Sequence, residues 1–98
     1  MKKILIINGP NLNLLGNREK KFYGDTTLDK IKILCDQHCK ENDIECSFFQ
    51  SNHEGELIEK IHSVDSNFDG VIINPAAFTH TSIALLDALR ATSKPKIE

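Results

Sequence analysis

No part of this 98-residue sequence approaches the ~18 consecutive apolar residues that a membrane-crossing helix requires. Met1-Lys2-Lys3 followed by Ile4 to Ile7 imitates the first half of a secretory signal. Asn8-Gly9-Pro10 cuts the apolar stretch off where a signal would have to continue. The expectation is a first strand, in a cytoplasmic protein with no membrane partner. Neither sign of charge is in excess: twelve Lys and Arg stand against fourteen Asp and Glu, a formal net charge of -2. A general nucleic-acid binder would carry a basic balance, so that class is set aside. Cysteine is scarce and odd in number, with Cys35, Cys39 and Cys46 only. Without an export signal this argues against a disulfide framework. Cys35, His38 and Cys39 form a Cys-x-x-His-Cys cluster, but no second ligand pair follows at zinc spacing. Cys35 and Cys39 share a helical face with Leu28 and Ile31, so small apolar core residues are expected there and no metal.

Several chemical motifs are also missing. No Gly-x-Gly-x-x-Gly follows the first strand and no Gly-x-x-x-x-Gly-Lys occurs, which leaves dinucleotide and P-loop binding unsupported. No acidic pair ends the first strand, as a phospho-acceptor domain would need. No Gly-x-Ser-x-Gly elbow is present. Repeats, low-complexity tracts and interdomain linkers are absent too.

What is present is one small domain, 40% hydrophobic and 27% charged. Residues 3–8 read as a strand, and 9–25 as a long loop rich in Gly, Pro and Asn. A loop of that length in a compact domain is usually functional, and Arg18, Phe22 and Tyr23 mark it as an active-site lid. Thr26 or Thr27 caps a helix to Glu41, with Leu28, Ile31, Leu34, Cys35 and Cys39 inward. Asn42-Asp43 breaks it. A strand at 45–50 and a helix at 54–66, burying Leu57, Ile58, Ile61 and Val64, come next. Residues 70–74 read as a strand covered on both faces. A helix at 82–91 turns Ile83, Leu86 and Leu89 or Leu85 inward, and Pro95 to Glu98 opens a fourth strand. Alternation of this kind predicts parallel strands in a doubly wound α/β sheet.

Ligands of such sheets bind at the carboxyl edge. That edge carries Asn8 to Asn11, Gln50 to Glu54 and Asn74, with Thr79-His80-Thr81-Ser82 following. Amides and hydroxyls suit a small, oxygen-rich, neutral or monoanionic ligand. Arg18 and Tyr23 are close enough in sequence to meet. A guanidinium beside a phenol favours the phenolate, which can act as a general base. Tyr23 as an ordinary loop aromatic and Arg18 as a surface cation stay open from spacing alone. His80 is either a ligand contact or a loop histidine bonded to the backbone. His38 and His62 are expected in solvent.

The run Asn8-Gly9-Pro10-Asn11-Leu12-Asn13-Leu14-Leu15-Gly16 is joined by Arg18-Glu19, Tyr23-Gly24, Thr27-Leu28, Gln50-Ser51-Asn52 and Glu54-Gly55. Together with Asn74-Pro75-Ala76-Ala77-Phe78-Thr79-His80-Thr81-Ser82, these residues strongly resemble type II 3-dehydroquinate dehydratase, from Lys3 to Glu98. The resemblance implies a flavodoxin-like, three-layer α/β/α fold, a homo-oligomer described as a dodecamer of trimers, and no cofactor, metal or Schiff-base lysine. The implied reaction removes water from 3-dehydroquinate to give 3-dehydroshikimate, through an enolate, in the shikimate pathway of aromatic amino acid biosynthesis. Tyr23 would be the base, and Arg18 would lower its pKa and stabilise the transition state. Asn11 would hold the water that hydrogen-bonds the enolate oxygen. Asn74 and His80 would bind the substrate's carboxylate and hydroxyls, and Asp87 would reach a neighbouring subunit's site.

The family continues past the counterpart of Glu98 with Val-His-Xaa-Ser-Asn, a basic helix-forming stretch, a fifth strand and a final helix. That His is the general acid, and Glu98 would orient it. The expectation is therefore a single, incomplete domain over residues 1–98, lacking its last strand and helix and impaired in catalysis. Two other readings remain. One is a truncated relative that only binds ligand or assembles with longer subunits. The other, a flavodoxin-like phosphate or flavin binder, lacks a Ser, Thr and Gly run after the first strand.

Overall fold

A computed structural model describes residues 1–15, 26–80 and 82–98, without the side chains of Thr79 and His80. Ile, Val, Leu and Phe recur through Lys2–Asn8, Ile44–Gln50 and Gly70–Asn74, which form strands β1, β2 and β3. Lys96–Ile97 adds the short strand β4. All pairings are parallel, in the order β2-β1-β3-β4. In-register rows therefore share a face: Ile4 with Cys46 and Gly70, Ile6 with Phe48 and Ile72, and Ile72 with Ile97.

The chain moves outward from β1 to β2, then crosses back to β3, so helices fall on both faces. One face carries α2 (Glu54–His62), the short α3 (Val64–Asn67) and α4 (Ile83–Ala91). Here Leu5, Ile7, Val71 and Ile73 meet Leu57, Ile61, Val64, Leu85, Ala88 and Leu89 in one buried core. Phe49 packs at its margin, with the Lys60 ammonium 5.1 Å above its ring. The opposite face carries α1 (Leu28–Glu41), which packs on β2. Thr27 caps α1 by accepting the Lys30 N–H at 3.2 Å. Asn42 donates its side-chain amide to the His38 carbonyl at 2.8 Å, and Asp43 turns the chain away at φ 57°.

Four details depart from the sequence reading. The stripe of α1 that faces the sheet is Leu28, Ile31, Cys35 and Cys39, all half-buried, whereas Leu34 lies on its flank at 62% exposed. The helix expected over 54–66 is two helices. Ser63 N–H is shared between the Glu59 and Lys60 carbonyls and its Oγ donates to Lys60 O at 2.6 Å, which bends the chain and redirects Val64 into the core. In α4 the inward residues are Leu85, Ala88 and Leu89, while Ile83 is 82% exposed and Leu86 is also outside. The roll of α4 is fixed at its end, where the buried Thr92 hydroxyl donates to Asp65 Oδ1 and Ser93 N–H reaches the same oxygen at 3.0 Å. Finally, among the described residues β3 is covered on one face only, and Ile72 on the other is 40% exposed. His38 and His62 are exposed, as expected.

Two carboxylates tie strands and helices together. Asp65 holds the α4–β4 connection, and Asp69 Oδ2 accepts the Lys3 N–H at 2.8 Å. The Thr92 hydrogen bond lowers the Asp65 pKa, and the Lys3 backbone hydrogen bond lowers that of Asp69. A carboxyl group more acidic in the folded chain stabilises the fold above its ordinary pKa of 3.8, and that contribution is lost as the pH falls through the folded value. Thermal melts are expected to hold steady from pH 7 to about pH 5 and to drop below about pH 4, less steeply in Asp65→Ala.

Candidate active site

The carboxyl ends of β1, β2 and β3 stand side by side, with Asn8 in register with Gln50 and Asn74. The order in which strands are added reverses between β1 and β3, so this edge is the topological switch point. Past β1 the backbone lies directly on Pro75. Gly9 N–H donates to Asn74 O at 2.8 Å, and a Cβ on Gly9 would come within 2.4 Å of Pro75 O. Only glycine permits that approach.

A chain of amides then orients Asn11. The Asn52 Oδ1 accepts the Asn11 N–H at 2.8 Å and the Gln50 Nε2 at 3.1 Å, while the same Gln50 nitrogen reaches Gly9 O at 3.2 Å. Asn11 thereby adopts φ 67°, a left-handed conformation that asparagine tolerates better than most residues. Its exposed side chain has no hydrogen-bond partner among the described residues and is open to a ligand or a water. The turn Leu12–Leu14 follows. Below it, Ser51 is buried, donates to Glu56 Oε1 at 2.6 Å and accepts His53 N–H at 2.9 Å. These bonds secure the β2–α2 turn and bring the Glu56 carboxylate to a helix N-terminus, where negative charge is favoured.

The third wall comes from β3. Asn74 Oδ1 accepts the Ala76 N–H at 3.2 Å, which leaves the Asn74 NH2 directed to no other described residue. Ala76 adopts φ 53°, an uncommon conformation for alanine, at the start of the turn Ala76–His80. His80 ends that turn, and Ser82 begins α4 as its cap, accepting the Leu85 N–H at 3.0 Å. Between β1 and β3 a groove of about 450 Å³ is lined by Asn8, Asn74, Pro75 and Glu98 together with apolar strand residues.

The edge thus brings Asn11, Asn74 and the His80 backbone to one rim, with Glu98 among the residues that line the groove. Arg18 and Tyr23 lie outside the described residues, as does the His80 side chain. Asp87 is exposed on α4. Sequence reasoning placed Gln50 and Asn52 at the edge but gave them no role. Their i, i+2 spacing across a strand end is the signal that was available, since it lets both amides face the neighbouring loop. The cysteines stand apart from this rim on α1 and β2, half-buried and unpaired. Burial, with Cys39 as a close neighbour, pushes the Cys46 thiol up to about 12, and burial also raises Cys35. At neutral pH these two are thiols rather than thiolate ligands or nucleophiles. Among the described residues no helix is long and apolar enough to cross a membrane.

The geometry defines an open, doubly wound α/β domain with an amide-lined ligand edge. Residues 2–98 match the family described as dehydroquinase class II. The chain belongs to that family. It is 54% identical to the 3-dehydroquinate dehydratase of Caldicellulosiruptor saccharolyticus, over all of this chain and 68% of that protein. It is 52% identical to the catabolic 3-dehydroquinase 1 of Neosartorya fischeri, over 99% of this chain and 65% of that one. The type II dehydroquinase structure from Propionibacterium acnes superimposes with a TM-score of 0.93 at 36% identity, covering 98% of this chain and 66% of that chain. That from Butyrivibrio crossotus gives 0.89 at 44%, covering 97% and 68%. The flavodoxin-like α/β fold is therefore that of type II dehydroquinases. The chain spans about two thirds of the length of the relatives it matches.

Proposed function

We propose that these 98 residues carry the proton-abstracting half of a 3-dehydroquinate dehydratase site. The observation that carries the reading is the rim of Asn11 and Asn74 at the switch point, in a chain that belongs to this family. In this scheme the Tyr23 phenolate, favoured by the Arg18 guanidinium, removes the proton α to the substrate ketone. Negative charge moves to the ketone oxygen, where a water held by the Asn11 side chain donates to it. Asn74 and His80 hold the carboxylate and hydroxyls. Collapse of the enolate expels the hydroxyl, which needs a proton to leave as water. By the family pattern that proton comes from a histidine beyond the counterpart of Glu98, and Glu98 orients it. The reading extends to the shikimate pathway, to a cytoplasmic protein in which residues 1–98 belong to a single domain, and to trimers gathered in a dodecamer with exposed Asp87 directed to a neighbour.

Solvent exchange tests the scheme. In deuterium oxide, proton NMR of 3-dehydroquinate is expected to lose its α-proton signal faster with the chain than in buffer, while conjugated product accumulates far more slowly. Exchange no faster than buffer refutes it. Binding without exchange or dehydration favours the second reading, a relative that only takes ligand or joins longer subunits.

A further inference from the structure

Asn52 is exposed, yet its mount is rigid. Its neighbour Ser51 is buried and held by three hydrogen bonds. Ser51 N–H donates to Asn8 O at 3.1 Å, its Oγ donates to Glu56 Oε1 at 2.6 Å, and the same Oγ accepts His53 N–H at 2.9 Å. The β1–β2 ladder therefore continues one residue past Gln50 and fixes where the Asn52 side chain starts.

An amide oxygen has two lone pairs. In Asn52 one takes Asn11 N–H at 2.8 Å and the other takes Gln50 Nε2 at 3.1 Å. Gln50 Nε2 also reaches Gly9 O at 3.2 Å, so the same small network grips the chain on both sides of Pro10. Asn11 is held at φ 67° and ψ -4°. That left-handed conformation is sparsely populated and persists where the surroundings hold it. The Asn11 side chain makes no bond of its own to the turn that follows, so its aim is set by its backbone.

We propose that Asn52 is a positioning residue for the dehydration. Through its bond to Asn11 N–H it aims the Asn11 amide, and the water that amide holds, at the enolate oxygen. The inference rests on the enolate scheme above and deepens it with a residue that touches neither substrate nor reacting atoms. Gln50 acts one step further back, by filling the second lone pair. A donor in an oxyanion site acts on the transition state more than on the bound ground state. Loss of Asn52 therefore falls on rate rather than on affinity, which Asn74 and His80 supply in that scheme.

The test follows α-proton exchange of 3-dehydroquinate in deuterium oxide, together with its dissociation constant. Removing an oxyanion donor outright costs about 10²–10³ in rate, so misaiming one in Asn52→Ala is expected to cost about tenfold or more, with affinity held within about twofold. Gln50→Ala should lose less. A merely structural role orders the two oppositely, since Gln50 is half-buried and Asn52 is exposed. In an Asn11→Ala background, Asn52→Ala should cost nothing further, because both act through one amide. An equal loss in both backgrounds overturns the proposal, as does a larger loss in Gln50→Ala.

A second readout needs no turnover. By NMR, solvent exchange of Asn11 N–H should speed up in Asn52→Ala, and Asn52→Asp, which keeps an acceptor oxygen, should restore its protection. A parent chain without α-proton exchange sinks the enolate scheme, and the hold on Asn11 is then decided by this readout alone. An Asn11 N–H as protected in Asn52→Ala as in the parent overturns the inference whatever the exchange of substrate.

Discussion

Tyr23→Phe is expected to reduce exchange of the substrate's α-proton on the order of 10²–10⁴-fold, the usual worth of a positioned general base. The substitution removes one oxygen and keeps the ring, so the melting temperature should not move. A free phenol has a pKa near ~10 and would be almost wholly protonated at neutral pH. In the proposed scheme the Arg18 guanidinium would favour the anion, and the exchange rate should climb with pH as the phenolate forms. Arg18→Ala removes that bias and should move the climb upward toward pH 10. Exchange in Tyr23→Phe equal to that of the parent chain would remove Tyr23 from the mechanism. An Arg18→Ala profile that keeps its midpoint would remove the charge coupling between the two.

The second large effect is structural. In Gly9→Ala the new methyl would sit 2.4 Å from Pro75 O and 2.7 Å from Pro75 C, and both are backbone atoms that a rotamer change cannot relieve. The loop must lift, which breaks or lengthens the Gly9 bond to Asn74 and the Gln50 bond to Gly9. Overpacking of this kind costs about 1–3 kcal/mol, a fall in Tm on the order of 10 °C for a domain of this size. Because Asn11 hangs from the same loop, ligand binding should weaken beyond the loss of folded protein. Gly55→Ala is the matched control: nothing lies within 4 Å of its added methyl, and it is in helix α2. Its Tm should be unchanged or slightly higher. Equal melting of the two variants would mean that the Gly9–Pro75 approach does not hold the edge together.

The architecture was legible because it rests on local signals. Ile4 to Ile7 ended by Asn8-Gly9-Pro10, Thr27 before Leu28, and Val71 to Ile73 between Gly70 and Pro75 each mark an element by pattern and punctuation. What the pattern could not give depends on partners distant in sequence. The roll of α4 is set by Thr92 reaching Asp65, 27 residues away, and Leu86 and Ile83 match the helical period as well as Leu85 and Leu89 do. Leu34 fits the α1 stripe by spacing, but a helix at one edge of a sheet buries a narrower strip than the period allows. The apolar strand β3 reads as covered on both faces because Ile72 and Ile73 are chemically alike, and only the layers around them differ. At the candidate site, Asn11 and Asn74 were visible as amides at strand ends. The Gln50–Asn52 link that holds the Asn11 loop was not, since hydrogen bonds between strand ends follow from register rather than from sequence.

The most direct test of a site divided between these residues and the rest of the family sequence is the ultraviolet absorbance of conjugated product formed from 3-dehydroquinate. The 98-residue chain is compared with the C. saccharolyticus relative under the same conditions. A rate about 10²–10⁴-fold lower, with α-proton exchange retained, is the result the proposal predicts if residues 1–98 hold the base and the family's acid lies outside them. Equal turnover by the two would contradict it, because the whole reaction would then be carried by residues 1–98.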